Sequence, residues 1–138
     1  MRRRALLATT LLATPALAWP DRPLRLLVGY PPGGGTDIMA RAVAARLGRE
    51  LGQPVVVESR TGASGTIAAA ELARATPDGQ VLLFVTGSEM ALRPLLDRQL
   101  PYDAERDLQP ATLLGRTPVA LAVNGAQGRG GWRAAPAS

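Results

Sequence analysis

Three short apolar runs, each followed by a small polar loop and then by a helical pattern, organise the middle of the chain. The runs cover residues 24–30, 55–57 and 81–85. Short apolar runs bounded by glycine and proline are typical of buried strands. Strand, loop and helix in three successive rounds predict an α/β fold, with a parallel sheet and crossover helices. The uninterrupted apolar runs also predict a sheet that is covered on both faces.

The clearest helical pattern follows the first run. Its apolar positions recur every three or four residues, which predicts one buried helix face. These positions are Ile38, Met39, Ala42, Val43, Leu47 and Leu51. Thr36 or Asp37 is expected to cap the start of this helix, and Gly52 to take the left-handed position after its last turn.

The rest of the body gives shorter signals. A second helix is predicted over residues 66–75, and a helical stretch limited by Pro94 is predicted after the third run. A turn is expected at residues 77–79 and a connector at residues 100–103. Two weaker strand candidates follow, residues 111–114 and 119–123.

Both ends differ from this body in composition. Residues 1–18 combine three arginines, a short apolar run and the pair Ala16 and Ala18, which are the three parts of a cleaved secretory signal peptide. The apolar run is too short to span a membrane, which takes about 20 residues. Residues 125–138 are rich in glycine, alanine and arginine without periodicity, so we expect a disordered or out-of-frame tail there.

The formal net charge of +5 comes from the residues at these two ends. Five of the 16 basic residues, all arginines, lie in residues 1–18 and 125–138, and the other 11 balance the 11 acids of residues 19–124. A nucleic-acid partner requires clustered excess positive charge. Because the body is formally neutral, no nucleic-acid partner is expected.

The residue types that are missing narrow the chemistry. The sequence has no histidine, cysteine or lysine. This excludes the Ser-His-Asp and Cys-His nucleophilic arrangements, and with them the lysine of a phosphate-binding P-loop. It also makes a zinc or iron–sulfur site of ordinary ligands unexpected. We therefore expect a protein that is not an enzyme and holds no metal or cofactor.

The three loops after the predicted strands share one composition. Loop 1 (residues 33–37), loop 2 (residues 61–66) and loop 3 (residues 86–88) are small and hydroxylated, and each precedes a helix. In a parallel sheet such loops meet at the carboxyl edge, where ligands bind. Glycine allows close approach, and amides at helix starts attract anions. The loops predict a site for an anion, with Asp37 bracing the loop because a carboxylate would repel an anionic ligand.

At this point the sequence resembles the substrate-binding proteins of tripartite tricarboxylate transporters, also called the Bug family. The resemblance runs from about Trp19 to Asn124 and rests on several independent segments. They are residues 19–28, 30–37, 51–60, 62–65, 75–79 and 100–103.

The resemblance implies the first lobe, of periplasmic binding protein type II-like fold, in a receptor whose two α/β lobes close around a small carboxylate. It implies a periplasmic protein that delivers this ligand to the membrane subunits of a transporter and does not itself span the membrane after signal cleavage. Carried over by motif, the candidate ligand-binding residues are Tyr30, Gly33, Gly34, Gly35, Thr36, Ala63, Ser64, Gly65, Thr86, Gly87 and Ser88.

The chain also departs from the family, whose members are roughly twice as long or more. Residues 19–124 are therefore expected to form a partial first lobe, truncated before the second lobe and impaired in binding. Two alternatives stay open. One is a small α/β enzyme that uses the glycine loops for an anionic or phosphorylated substrate. The other is a fragment without function.

Overall fold

The computed structural model describes residues 19–97 and 99–116, and a small parallel sheet lies at their centre. Its strands are β1 (Leu24–Val28), β2 (Val55–Ser59) and β3 (Val81–Phe84). The strand order is β2-β1-β3, with both pairs parallel. Leu26 lies opposite Val57 on one side and Leu82 on the other. The predicted parallel sheet is confirmed.

Helices connect the strands as the sequence predicts. Helix α1 (Gly35–Leu51) links β1 to β2, and α2 (Thr66–Arg74) links β2 to β3 after a 3₁₀ turn at Ala63–Gly65. A π-helical turn (Ser88–Leu92) follows β3 and continues into the short helix α3 (Arg93–Leu96). Within the described residues, no helix has the length and apolar character needed to cross a membrane.

Two apolar clusters lie in the described part of the fold. The first joins α1 to alternate residues of all three strands, and its buried members are Leu26, Val28, Ala40, Ala44 and Phe84. The second joins α2 to the segment after α3, and its buried members are Ala69, Ala70, Tyr102, Ala104 and Leu108. Leu83 packs against the second cluster while its neighbour Leu82 packs against the first, so the clusters lie on opposite faces of the sheet.

The predicted buried face of α1 is confirmed at Val43, which packs against the first cluster, and is wrong at its first two positions. Ile38 and Met39 are 61% and 48% exposed, whereas Asp37, Ala40 and Ala44 are buried. Ala40 and Ala44 are four residues apart, so they share one face of the helix. Small side chains on this face let the helix backbone come close to the sheet, and this packing decides the orientation of α1.

Two expectations about the ends of α1 have different outcomes. Gly34, not Thr36 or Asp37, is the residue before the first turn, with extended backbone and no side-chain cap. The predicted role of Gly52 is confirmed by its left-handed conformation, with φ of 68°. Asp37 lies inside the first turn, where its carboxylate bonds back to loop 1 instead of capping the helix.

The expectation of a sheet covered on both faces is wrong for β2. This strand lies at the edge of the sheet, and Val56 is 48% exposed. The apolar run therefore reflects the strand preference of valine rather than complete burial.

Beyond β3 two further expectations are wrong. Pro94 lies in the first turn of α3, so it starts that helix instead of ending the stretch. Residues 111–114 form no strand, and Leu113 is 71% exposed. The strand predicted at residues 119–123, the signal peptide and the tail at residues 125–138 lie outside the described residues.

A ring of four charged side chains ties β1, β2 and α2 together. Arg25 makes two bonds of 2.8 Å to Glu58 and one of 2.7 Å to Glu71. Arg60 closes the ring, at 2.7 Å from Glu58 and 2.8 Å from Glu71. Charges of opposite sign thus alternate around the ring, which ties the middle of α2 to the sheet.

Candidate ligand-binding site

The carboxyl ends of the three strands bring loops 1, 2 and 3 to one edge of the sheet. Tyr30, which follows β1, places its hydroxyl 3.0 Å from Thr86 Oγ1 in loop 3. Gly65 of loop 2 packs against the carboxylate of Glu89, which follows loop 3. Side chains thus join loop 3 to the segments after β1 and β2, and the predicted candidates from all three connections lie on this edge.

Loop 1 is shaped by its own first helical turn. Gly33 has φ of +82°, and its N–H donates to Asp37 Oδ2 at 2.9 Å. Arg41 Nε donates to the same oxygen at 2.9 Å. Because Arg41 and the Gly33 amide both stabilise the ionised form, they hold the pKa of the Asp37 carboxyl below its usual range. This geometry is what a loop-bracing residue requires.

Loop 2 has unusual backbone geometry. Four consecutive residues have positive φ: Gly62 at 131°, Ala63 at 46°, Ser64 at 53° and Gly65 at 88°. The left-handed region costs a residue with a β-carbon roughly 1–2 kcal/mol. Ala63 and Ser64 are held there on the exposed surface of the loop. Backbone strain of this kind is characteristic of binding loops.

Loop 3 is organised around the buried carboxylate of Glu89, which is 0% exposed. Its Oε2 atom accepts hydrogen bonds from the Thr86 hydroxyl at 2.6 Å and from the Thr86 N–H at 3.0 Å. Ser88 N–H donates to Thr86 Oγ1 at 3.1 Å. Loop 3 is therefore closed by its own hydrogen bonds.

Many of the candidate amides already have partners inside the protein. The N–H groups that donate to loop or side-chain oxygens belong to Gly33, Gly34, Gly65, Thr86 and Ser88. Gly35 and Thr36 open α1, where the first N–H groups have no partner within the helix. The candidates therefore divide into amides that shape the loops and amides at the start of α1.

Two cavities of the described residues lie away from these loops. An open groove of about 550 Å³ runs between the second half of α1 and the start of β2, lined by residues such as Ala44, Gly48 and Val55. It lies at the amino end of β2, away from the loops. At the loop edge itself, residues 33–35, 61–64 and 87 are exposed.

Three polar residues near this edge were not among the sequence candidates. Glu89 Oε1, Thr66 Oγ1 and Ser59 Oγ are buried without a hydrogen-bond partner. Glu89 follows directly on loop 3, and that position was its only signal in the sequence. Thr66 is the last residue of loop 2 and the predicted start of the next helix, and Ser59 lies where the sequence predicts a loop.

The parallel sheet, the helices on both its faces and the three loops at its carboxyl edge define a lobe of the periplasmic binding protein type. The family "Tripartite tricarboxylate transporter family receptor" matches residues 39–128. The chain belongs to this family.

Three relatives illustrate the match. A UPF0065 protein of Bordetella bronchiseptica is 46% identical over 118 residues, which are 86% of this chain and 35% of that protein. A solved structure described as a periplasmic transporter is 50% identical with a TM-score of 0.61, covering 63% of this chain and 29% of the other. MatC from Rhodopseudomonas palustris with bound malate is 36% identical with a TM-score of 0.61, covering 64% and 30%. The chain spans about a third of the length of these relatives.

Proposed function

We propose that this chain supplies the first lobe of a periplasmic receptor, which binds a small carboxylate at the loop edge and delivers it to a membrane permease. The observation that carries the proposal is that the segments following the three strands contact one another at this edge. The Tyr30 hydroxyl contacts Thr86, and Gly65 packs against Glu89. Three connections that leave parallel strands at the same edge are thereby held as one surface.

The amides at the start of α1 are the anchor for one carboxylate group in this proposal. Gly35 and Thr36 lie at the positive end of a helix of 17 residues. Gly35 is exposed, so this end of the helix is accessible to a ligand. Each such contact contributes about 0.3–2 kcal/mol.

Loops 2 and 3 complete the proposed surface. Ala63 and Ser64 are exposed on the strained turn, and Gly87 is exposed between Thr86 and Ser88. The proposal assigns ligand contact to these three residues and to Gly35 and Thr36.

Five of the other six candidates shape the loops in this proposal, because their amides are engaged in internal hydrogen bonds. These are Gly33, Gly34, Gly65, Thr86 and Ser88. Tyr30 borders the ligand, and Asp37 braces loop 1.

The comparisons support the class of ligand. The chain belongs to a family of transporter receptors, and MatC is a relative with malate bound. The absence of histidine, cysteine and lysine from the sequence also favours binding over catalysis. We include delivery to a permease in the proposal because the family is described as a transporter receptor.

Export is part of the same proposal. The relative described as a periplasmic transporter supports a periplasmic location. Cleavage after Ala18 would leave Trp19 as the first residue of the mature protein. N-terminal sequencing of the chain from the periplasmic fraction tests this, and an intact Met1 in the cytoplasmic fraction would contradict it.

Binding is tested by following the backbone amides of the chain by NMR during titration with malate, with 1,4-butanediol as the uncharged probe. We expect saturable shifts concentrated in loops 1, 2 and 3, with affinity in the millimolar range, about 4 kcal/mol, because this chain spans about a third of the length of its relatives. The diol should cause no such shifts, and malate should be recovered unchanged. Absent shifts, or equal shifts with the diol, would contradict the proposal.

A further inference from the structure

Tyr30, Thr86 and Glu89 form a chain of hydrogen bonds that ends at the ligand edge. The Tyr30 hydroxyl lies 3.0 Å from Thr86 Oγ1, and Thr86 Oγ1 lies 2.6 Å from Glu89 Oε2. Geometry alone allows either hydroxyl of the first pair to be the donor. Counting the hydrogens in this series of hydrogen bonds shows which hydroxyl donates.

The Thr86 hydroxyl has one hydrogen and two lone pairs. Its hydrogen goes to Glu89 Oε2, which lies 2.6 Å away. Ser88 N–H, at 3.1 Å, occupies one lone pair. The remaining lone pair must accept from Tyr30, so the hydroxyl hydrogen of Tyr30 points to Thr86. The phenolic oxygen then offers only lone pairs to its surroundings.

Glu89, the last member of this series of hydrogen bonds, is held in place by its surroundings. Glu89 is fully buried, and its carboxylate lies against Gly65, with Gly29 beneath, where a β-carbon would be 3.4 Å from Oε1. The Tyr102 hydroxyl donates to the backbone carbonyl of Glu89 at 2.8 Å. Glu89 therefore has little room to turn away from Thr86, and the direction of the hydrogen bonds is built into the packing.

We propose that Tyr30 selects ligands carrying a hydrogen-bond donor beside the carboxylate, such as the hydroxyl of a 2-hydroxy acid. This rests on the proposed carboxylate site. The lone pairs of Tyr30 accept a hydrogen from the ligand and repel a carboxylate oxygen, which is directed to the amides of Gly35 and Thr36. Glu89 is the positioning residue, since it acts on the ligand only through Thr86 and Tyr30.

Malate and succinate form the matched probe pair, because they differ only in one hydroxyl group. For the wild-type chain, NMR titration should give malate an affinity about five-fold higher, the ratio typical of one hydrogen bond. Tyr30→Phe should reduce this ratio to about one. Thr86→Val should do the same, because the freed Tyr30 hydroxyl can turn and donate. Thr86→Ser keeps the hydroxyl and should keep the ratio.

The direction of the hydrogen bond is also measured without ligand, from the ¹³C shift of the Tyr30 ζ carbon, which responds to donation by the phenol. Thr86→Val should change this shift, and Thr86→Ser should restore it. The amide spectrum of each variant shows whether it is folded.

Each result has a defined meaning. Equal affinities of wild type for malate and succinate overturn the selection by Tyr30 and leave the carboxylate site standing. If neither acid moves the loop amides, the proposed function fails, and the ligand selection fails with it. An unchanged ζ-carbon shift in folded Thr86→Val overturns the hydrogen-bond direction by itself.

Discussion

The α-carbon of Gly65 lies against the carboxylate of Glu89, with no room for a β-carbon between them. A β-carbon on Gly29 would in turn lie 2.5 Å from the α-carbon of Gly65. The end of β1, the strained turn of loop 2 and the π-helical turn after β3 thus meet through two glycines. This close approach fixes the spacing of the connections that form the proposed site.

Gly65→Ala should destabilise the chain strongly. The added β-carbon would overlap Glu89, and the φ of +88° is unfavourable for alanine. We expect the free energy of unfolding to fall by about 2 kcal/mol or more, measured by urea denaturation. Gly87→Ala is the matched control, because its φ is −61° and its β-carbon would meet nothing. A loss below about 0.5 kcal/mol for Gly65→Ala, the range of neutral surface changes, would contradict this packing.

Asp37→Ala should loosen loop 1. It removes the partner of Arg41 and the acceptor of the Gly33 amide, and a backbone hydrogen bond to a charged group contributes about 1.5–3 kcal/mol. Arg41→Ala keeps the Gly33 bond and should cost less than about 1 kcal/mol, because Arg41 is largely exposed. Amide hydrogen exchange at Gly33 separates the two effects. Equal exchange in both variants would contradict the brace.

The charged ring should make stability depend on pH. The hydrogen bond from Arg25 lowers the pKa of Glu58. For Glu71, burial acts to raise the pKa but is outweighed by the bonds from Arg25 and Arg60, which lower it. A folded pKa below the unfolded value of 4.5 stabilises the chain above pH 4.5, and this contribution is lost as pH falls through the folded pKa.

Glu58→Gln with Glu71→Gln should therefore flatten the acid side of the stability curve. Near neutral pH we expect each substitution to cost about 1 kcal/mol, since these side chains are only partly buried. Arg22→Ala, which breaks the exposed pair with Asp78, serves as the control and should leave the curve unchanged. If the double variant kept the wild-type loss of stability below pH 4.5, the ring would have no such role.

The orientation of α1 gives another prediction. Ala44→Leu forces a larger side chain between α1 and the sheet and should cost about 1–3 kcal/mol. Ile38→Ser changes an exposed position and should remain within about 0.5 kcal/mol. Thermal unfolding of both variants measures the difference. If Ile38→Ser were instead less stable than Ala44→Leu, the observed orientation of α1 would be contradicted.

That same helix shows how far the sequence alone reaches. The strands, the order of elements and the left-handed Gly52 follow from local patterns, because short apolar runs and glycine preferences act over a few residues. The buried face of α1 follows only in part. Val43 packs inward as the pattern predicts, whereas Ala40 and Ala44 are buried because small side chains let the helix come close to the sheet. An apolar pattern measures hydrophobicity, whereas close packing here selects small size.

The candidate site divides in the same way. Glycine and hydroxyl residues before helices revealed the three loops, and parallel strands place them at one edge. The sequence could not show which amides are already occupied, because partners such as Thr86 and Glu89 depend on the folded loop. Nor could it reveal the role of Glu89, whose importance comes from contacts with glycines 24 and 60 residues away.

The central claim is that the amides opening α1 anchor a carboxylate, and Gly35→Pro tests it most directly. Proline at the first helical position suits a helix start, and the extended backbone of Gly34 tolerates it. The substitution deletes one N–H, whereas Gly35→Ala keeps that N–H in the same open space. We predict that Gly35→Pro weakens malate binding about five-fold, the effect of one hydrogen bond, and that Gly35→Ala binds as wild type. Equal malate affinity of the proline and alanine variants would contradict the claim.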